Sequence, residues 1–309
     1  MIKDIAEEGK VSLEALITRC DRSKTQKNTP YLSLTLEDKS GVLDAKFWNL
    51  TEDMIARYHV GMVVNVKGDI IIHKNALQMR VQHMDEIPDA SLNDYVRSAP
   101  MSKQEMQEEI NQAIDSMQDQ ALQKVVKEIL QESEKDFYEY PAATRNHHNF
   151  VGGLAYHSLS MLRLSKQVCI LYPWLDLDLL TAGVLLHDVG KIEELTSAVL
   201  PEYSQQGNLL GHISMMQSRI DQVAHRFGLQ AKESILLLKH MVLSHHGKLE
   251  FGSPVLPMIP EAEVLATLDN LDARLYMMKQ ALESTQTGNF SPRIFALENR
   301  MVYLSLIHI

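Results

Sequence analysis

The hydrophobic period of this chain changes once along its length, and the change demands two architectures. Between Val11 and Ile87 short β-rich runs follow one another, YLSLTLED, VLDAKFW, GMVVNVKGDIII and ALQMRVQHM, broken by turn signals such as Lys39-Ser40-Gly41. A period of two sends successive side chains to opposite faces of a strand. Tyr31, Ser33 and Thr35 therefore share one face, and Leu32, Leu34 and Leu36 the other. Short strands at hairpin spacing predict a small barrel or sandwich. From Asn149 onward apolar residues recur at helical spacing instead, with breaks expected near Pro173, Gly207, Gly228 and the GSPVLPMIP stretch. Between the two regimes, Pro88 and Pro100 introduce an acidic stretch, MSKQEMQEEINQAIDSM, that reads as a connecting helical segment with a solvated face. The expected division is a β domain over 1–88, a connector over 89–144 and an all-α domain over 145–303. The final LSLIHI, 304–309, is out of character beside RIFALENRMVY and reads as a non-native tail, so nothing is drawn from His308.

A chain of 309 residues that is 45% apolar can bury two cores. No apolar run approaches the roughly 20 residues of a membrane helix, and MIKDIAEEGK lacks the apolar centre of a secretory signal. A cytoplasmic protein with no membrane partner is expected. Cys20 and Cys169 stand far apart without a CxxC partner, so a metal would have to sit on histidine and carboxylate. The net charge of −10 argues against a polyanionic ligand until its distribution is considered. Residues 89–140 hold twelve acids against five bases, whereas 10–88 hold eleven bases and ten acids. A near-neutral first domain with clustered bases remains compatible with nucleic acid.

Histidines concentrate in short motifs of the helical region: HHN at 147–149, GLAYHS, LLHDVGK, LLGH and LSHHGK, followed by TLDNLDA. Helical spacing puts His157 on a face with Leu154, Met161, Leu164 and Val168, directed into a core. A strongly apolar run delivers adjacent His187 and Asp188 just before Gly190. The face of Ile235, Leu238 and Val242 continues to His245 and His246, and Asp269 and Asp272 lie three apart on one helix. Several core-directed imidazoles and carboxylates cannot satisfy one another once desolvated. A divalent ion resolves the conflict, since imidazole nitrogen with carboxylate oxygen suits Mn²⁺, Fe²⁺, Co²⁺ or Zn²⁺. Two ions sharing a carboxylate would clamp a phosphodiester, with Asp188 the natural bridge. A lone His-Asp pair arises by chance; the ordered set of His157, His187-Asp188, His212, His245-His246 and Asp269 carries the reading.

That ordered set resembles the HD-superfamily phosphohydrolase domain, over roughly residues 145–300. The resemblance implies that His157, His187, Asp188 and Asp269 are first-tier metal ligands and that His212, His245 and His246 complete a second position. It gives Lys191 the task of neutralising substrate phosphate beside catalytic Asp188. The segment after His246, GKLEFGSP, lacks the GYP element of cyclic-di-GMP phosphodiesterases, which argues against that substrate. His147 and His148 read either as phosphate-binding residues near the mouth or as solvated loop histidines. Asp272 reads as a group behind a ligand or as a salt-bridge partner.

In the first domain Tyr31, Phe47 and Trp48 accompany Arg19, Arg22, Lys24, Lys27, Lys46, Lys67, Lys74 and Arg80. Aromatic platforms with backbone-tracking bases are how OB folds hold single strands, although an aromatic on a barrel strand is also a common core residue. Taken together, the two halves resemble the YhaM family of bacterial 3′-to-5′ exoribonucleases through TPYLSLTLEDKSGVLDAKFW, HHNFVGGLAYHSLSM and RIFALENRM. This resemblance implies a small all-β OB-fold barrel followed by an all-α HD domain, attack from the 3′ end and release of nucleoside 5′-monophosphates. It also implies single-stranded RNA, and possibly DNA, as partner, one or two ions of Mn²⁺ (or Co²⁺, Fe²⁺ or Mg²⁺), and a homo-oligomer. Two other readings stay open: a phosphohydrolase acting on small nucleotides, and an RNA-binding regulator without catalysis.

Overall fold

Alternation does its work first in the N-terminal residues, where each strand turns one side inward. β1 (Gly9–Lys24), β2 (Pro30–Asp38), β3 (Gly41–Phe47), β4 (Val63–His73) and β5 (Ala76–Glu86) close into a barrel in the order β1-β2-β3-β5-β4. All neighbours are antiparallel except β3 and β5. The structure, a computed structural model, describes residues 1–25, 28–73, 76–143, 148–283 and 285–308. Lys27, Lys74 and His147 lie outside the described residues. β1 is long enough to serve two neighbours: Gly9–Leu16 pairs with β4 and Leu16–Lys24 with β2, with a register shift between Ile17 and Arg19. Such an irregularity bends a strand and increases its twist, as barrel closure needs. Ala15, Ile17, Leu32, Leu34, Leu36, Ala45, Val64, Val66 and Met79 fill the interior. Helix α1 (Glu52–Arg57), capped by Thr51, separates β3 from β4. Asp38 fixes the expected turn, its Oδ1 accepting from the Ser40 and Gly41 amides while Oδ2 accepts from the Ile2 amide.

The chain divides into two compact units, Met1–Ser98 and Ala99–Ile309. In the second, α2 (Lys103–Asp115) and α3 (Gln120–Glu132) are followed by the single turn α4 (Glu134–Phe137). Then come α5 (Gly153–Leu171), α6 (Leu177–Leu186), the short α7 (Lys191–Glu194), α8 (Gln205–Arg226), α9 (Glu233–Ser244) and α10 (Pro260–Glu283). α6 is buried at every position from Leu179 to Leu186, the signature of a central helix rather than an amphipathic one. Its N-terminus is capped by Asp176, whose carboxylate accepts from the Leu179 amide. α2 and α3 lie in the stretch read as a connector, and there they bury Met106, Ile110, Leu122, Val125, Val126 and Ile129 in the same core as α5, α6 and α8. At about 1.5–3 kcal/mol for each fully buried aliphatic side chain, these residues support the helices that carry the histidines.

Near Gly207, where a break is expected, α8 begins and is then interrupted. Gly207 sits in the first turn of α8, and the interruption comes at Gly211, whose backbone (φ 70°, ψ 151°) is not helical. Glycine is required at 211 by that positive φ, and at 207 by close approach, since a Cβ there would come within 2.3 Å of the Glu194 carbonyl oxygen. Among the described residues no helix is long and apolar enough to cross a membrane.

Candidate metal centre and nucleic-acid interface

Five helices of the second unit deliver polar groups to one buried place. α5 contributes His157; the end of α6 presents His187 and Asp188; His212 follows the interruption in α8; α9 ends in His245 and His246; α10 contributes Asp269 and Asp272. His157, His187 and His245 are completely buried, and Asp188 is 2% exposed. The helical spacing in the sequence put His157 and the His245 end of α9 on core faces, and both are there.

Each of the five imidazoles has its Nδ1 engaged by a group that can only accept. His157 Nδ1 donates to Asp272 Oδ2 (2.7 Å) and His212 Nδ1 to Glu194 Oε1 (2.9 Å). His187, His245 and His246 donate to the carbonyls of Val184 (2.9 Å), Val242 (2.7 Å) and Phe251 (2.6 Å). For His187, His212, His245 and His246 the chemistry of these acceptors assigns the proton to Nδ1 and leaves Nε2 as the lone-pair side, whereas His157, whose Nε2 lies 3.2 Å from Asp269 Oδ1, holds a second proton that a metal would have to displace. Those Nε2 atoms face carboxylates: His187 lies 3.3 Å from Asp188 Oδ2, His212 3.4 Å and His245 3.6 Å from Asp188 Oδ1. Lone pair against lone pair is repulsive. Among the described residues the Nε2 atoms of His187, His212 and His245 and Asp188 Oδ1 are buried without a hydrogen-bond partner. Buried polar groups in this state point to a cation between them.

The donor set fits a divalent metal, and it divides into two groups. The ligand atoms of His157, His187 and Asp269 lie within 4.8 Å of one another, and so do those of His212, His245 and His246. Asp188 stands between, Oδ2 toward His187 and Oδ1 toward His212 and His245. A third combination, His148, His157 and Asp272, meets the same distance. There Asp272 is taken by His157 and by Ser160, whose hydroxyl donates to Oδ1 at 2.5 Å, so it backs the first group.

The electrostatics agree with metal ligation. Burial raises the carboxyls of Asp188 and Asp269, yet the Lys191 ammonium beside the former and the His157 hydrogen bond to the latter hold both below the ordinary range. Burial pushes the His245 and His246 imidazoles down, which keeps them neutral. Burial acts the same way on His157, but its hydrogen bonds to Asp269 and Asp272 prevail and raise it to about 9. That imidazole is wedged between two carboxylates that together call for positive charge.

Other residues depart from their sequence reading. The Lys191 ammonium donates to Asp188 Oδ2 and to the Ala142 carbonyl, both at 2.7 Å, rather than standing free toward substrate. His148, expected in a solvated or phosphate-contacting loop, is 2% exposed, its ring stacked on Tyr276 at 4.2 Å and its Nε2 3.6 Å from Asp272. Glu194 went unnoticed in the sequence. Burial raises its carboxyl, but the hydrogen bonds and charge of His212 bring it below the usual value. Its neighbour Glu193 is exposed, and nothing in KIEEL separates the two.

On the barrel, Tyr31 and Trp48 stack at 4.1 Å with planes 28° apart. Both are half-buried, whereas Phe47 is a core residue against Tyr58. Strand register sets Ser33 opposite Lys46 and Lys46 opposite Arg80. The Lys46 ammonium reaches the Ser33 hydroxyl and lies 5.9 Å from the Tyr31 ring centroid. Tyr31, Trp48, Lys46 and Arg80 thus form one outward patch across β2, β3 and β5. Arg22 and Lys24 are exposed at the end of β1, Arg22 paired with Glu52.

The family description "HD domain" matches residues 154–274, and "OB-fold nucleic acid binding domain" matches residues 11–87. Among solved structures the chain is similar to a replication protein A heterotrimer bound to ssDNA, at 21% identity over 28% of this chain and 63% of that one, with a TM-score of 0.23. It is similar to the second OB-fold domain of replication protein A from Methanococcus maripaludis, at 17% identity over 29% of this chain and 96% of that one, TM-score 0.25. A third is the mitochondrial single-stranded DNA binding protein Rim1 of S. cerevisiae, at 14% identity over 28% and 100% of the two chains, TM-score 0.24. By its two family matches and its barrel the chain carries an OB fold followed by a helical HD domain.

Proposed function

We propose that this protein is a metal-dependent 3′-to-5′ exoribonuclease that releases nucleoside 5′-monophosphates and also accepts single-stranded DNA. One observation carries the reading: Asp188 lies between two imidazole groups whose unprotonated Nε2 atoms converge on it, in a chain whose other domain is an OB fold. The polarity and the preference for RNA come from the YhaM resemblance, as does self-association; the cytoplasmic setting carries over from the composition of the sequence. The unpaired Cys20 and Cys169 agree with a reducing compartment.

His157, His187, Asp188 and Asp269 would hold one ion and His212, His245, His246 and the second Asp188 oxygen another. Divalent ions there, most simply Mn²⁺, with Co²⁺, Fe²⁺ or Mg²⁺ as substitutes, supply Lewis-acid polarisation of phosphate oxygen and a water whose pKa falls toward about 7. The protein does the rest by position. Asp272 and Glu194 fix the rings of His157 and His212. Lys191 holds Asp188 ionised and oriented. The Tyr31–Trp48 pair offers a stacking surface to bases, and Lys46, Arg80, Arg22 and Lys24 offer charge to the backbone.

Incubating the purified protein with 5′-labelled single-stranded RNA and DNA across a panel of divalent ions tests the proposal. A ladder shortening by single nucleotides from the 3′ end is expected. Internal cuts, or turnover of free nucleotides alone, would reassign the site to an endonuclease or to a small-nucleotide phosphohydrolase. A protein that binds RNA but turns over nothing with any ion would be a regulator.

A further inference from the structure

The five site imidazoles are not held in the same way. His187, His245 and His246 are tied to backbone carbonyls, and His245 and His246 arrive together at the end of α9. His212 comes from a different place. It directly follows Gly211, where the chain leaves helical geometry, so the preceding turn of α8 does not fix where its ring points. Glu194 does that. The Glu194 Oε1 accepts from the His212 backbone amide at 3.0 Å and from His212 Nδ1 at 2.9 Å, setting the position of the residue and the rotation of its ring together.

Glu194 is itself firmly seated. Its side chain is buried, and its carbonyl accepts from the Ser204 amide at 2.8 Å and lies against Gly207, where no side chain fits. The charge balance adds to the asymmetry. The first group of ligands has a carboxylate of its own in Asp269, while the second consists of three imidazoles and shares Asp188. A carboxylate hydrogen-bonded to the far nitrogen of a ligating histidine raises the basicity of that ligand. For the second position Glu194 is the group so placed.

We infer that Glu194 is a positioning residue that decides whether the His212, His245 and His246 position holds an ion, and that it has little influence on the His157, His187 and Asp269 position. Without it His212 loses both its placement and its nearby negative charge, and the centre is left with one tightly held ion. The inference rests on the two-ion reading above but not on the identity of the substrate.

The test is calorimetric titration of Mn²⁺ into the metal-stripped full-length protein, with the ion content of the reloaded protein measured after buffer exchange. Wild type is expected to take up two ions. E194A should keep the first affinity and lose on the order of 10–100-fold in the second, with the melting temperature of the metal-stripped form near wild type. E194Q, which keeps an acceptor for both N–H groups but not the charge, should fall between the two, and E193Q should match wild type. An unchanged second affinity in E194A overturns the inference. So does an equal loss at both positions with a lower melting temperature, which would mark Glu194 as a structural support. Should E194A fail to fold, E194Q decides alone, and a wild-type second affinity there overturns the inference. A wild type that binds a single ion would refute the two-ion reading itself, before any variant is compared.

Discussion

The Lys191 ammonium is committed on two sides, to a carboxylate oxygen of Asp188 and to the Ala142 carbonyl, in a setting where only 12% of its side chain is exposed. Burial lowers an ammonium pKa, yet Asp188 overrides this and raises it. Lys191→Met removes the countercharge of a buried carboxylate and should cost about 3–5 kcal/mol of stability in the metal-stripped protein. Saturating Mn²⁺ should recover part of that loss, because a second cation beside Asp188 takes over the same charge. Thermal melts of wild type and variant with and without the ion check this, and a variant as stable as wild type without metal would refute it. The residues that meet at the buried centre were legible in the sequence because imidazole or carboxylate interrupts an apolar helical face, which is costly unless a partner satisfies it. Their supports were not. Glu194 resembles the solvated Glu193 beside it, and His148 is covered not only by the nearby Phe150 and Tyr156 but by Tyr276, which is 128 positions along and out of reach of any local pattern.

The β2–β3 hairpin brings Tyr31 and Trp48 together from opposite ends of the two strands, with Lys46 one step along on the same side. Trp48→Ala removes one ring of the stack and should weaken single-stranded oligonucleotide binding by about 1–3 kcal/mol if a base rests there. Lys46→Ala should flatten the dependence of that binding on salt, by about 0.7 in log–log slope for one lost phosphate contact on a single strand. Anisotropy titrations over a range of salt concentrations distinguish these effects, and unchanged affinity in both variants would move the strand to another surface. Most elements could be read from period alone: the alternation of β2, the turn at Lys39-Ser40-Gly41 and the apolar run of α6. The interruption of α8 could be read only approximately. Gly207 and Gly211 look alike in sequence, but one is demanded by the approach of Glu194 and the other by a backbone angle, and both causes lie in the tertiary packing.

For the whole molecule, the carboxylates and imidazoles that would hold the proposed ions come together only in the folded state, so metal removal should be felt as lost stability. At a free Mn²⁺ concentration 100 times the dissociation constant, linkage adds about 2.7 kcal/mol. In a domain of this size that corresponds to roughly 5–10 °C in melting temperature. Differential scanning calorimetry should show the helical unit's transition falling by this amount in EDTA and the barrel's transition unmoved. A drop in both, or in neither, would be inconsistent with a metal confined to the HD domain. The barrel carries a different implication. Because β3 and β5 pair in parallel over Asp44–Phe47 and Gln78–Val81 to complete the ring, every described strand has two neighbours and none offers a whole open edge for a foreign strand to zip onto. Open sheets carry that hazard as a route to aggregation and domain exchange. With so little edge to share, copies of this chain that associate through the first domain are expected to do so mainly by side-chain packing, an interface that single surface substitutions can dissolve without unravelling the barrel.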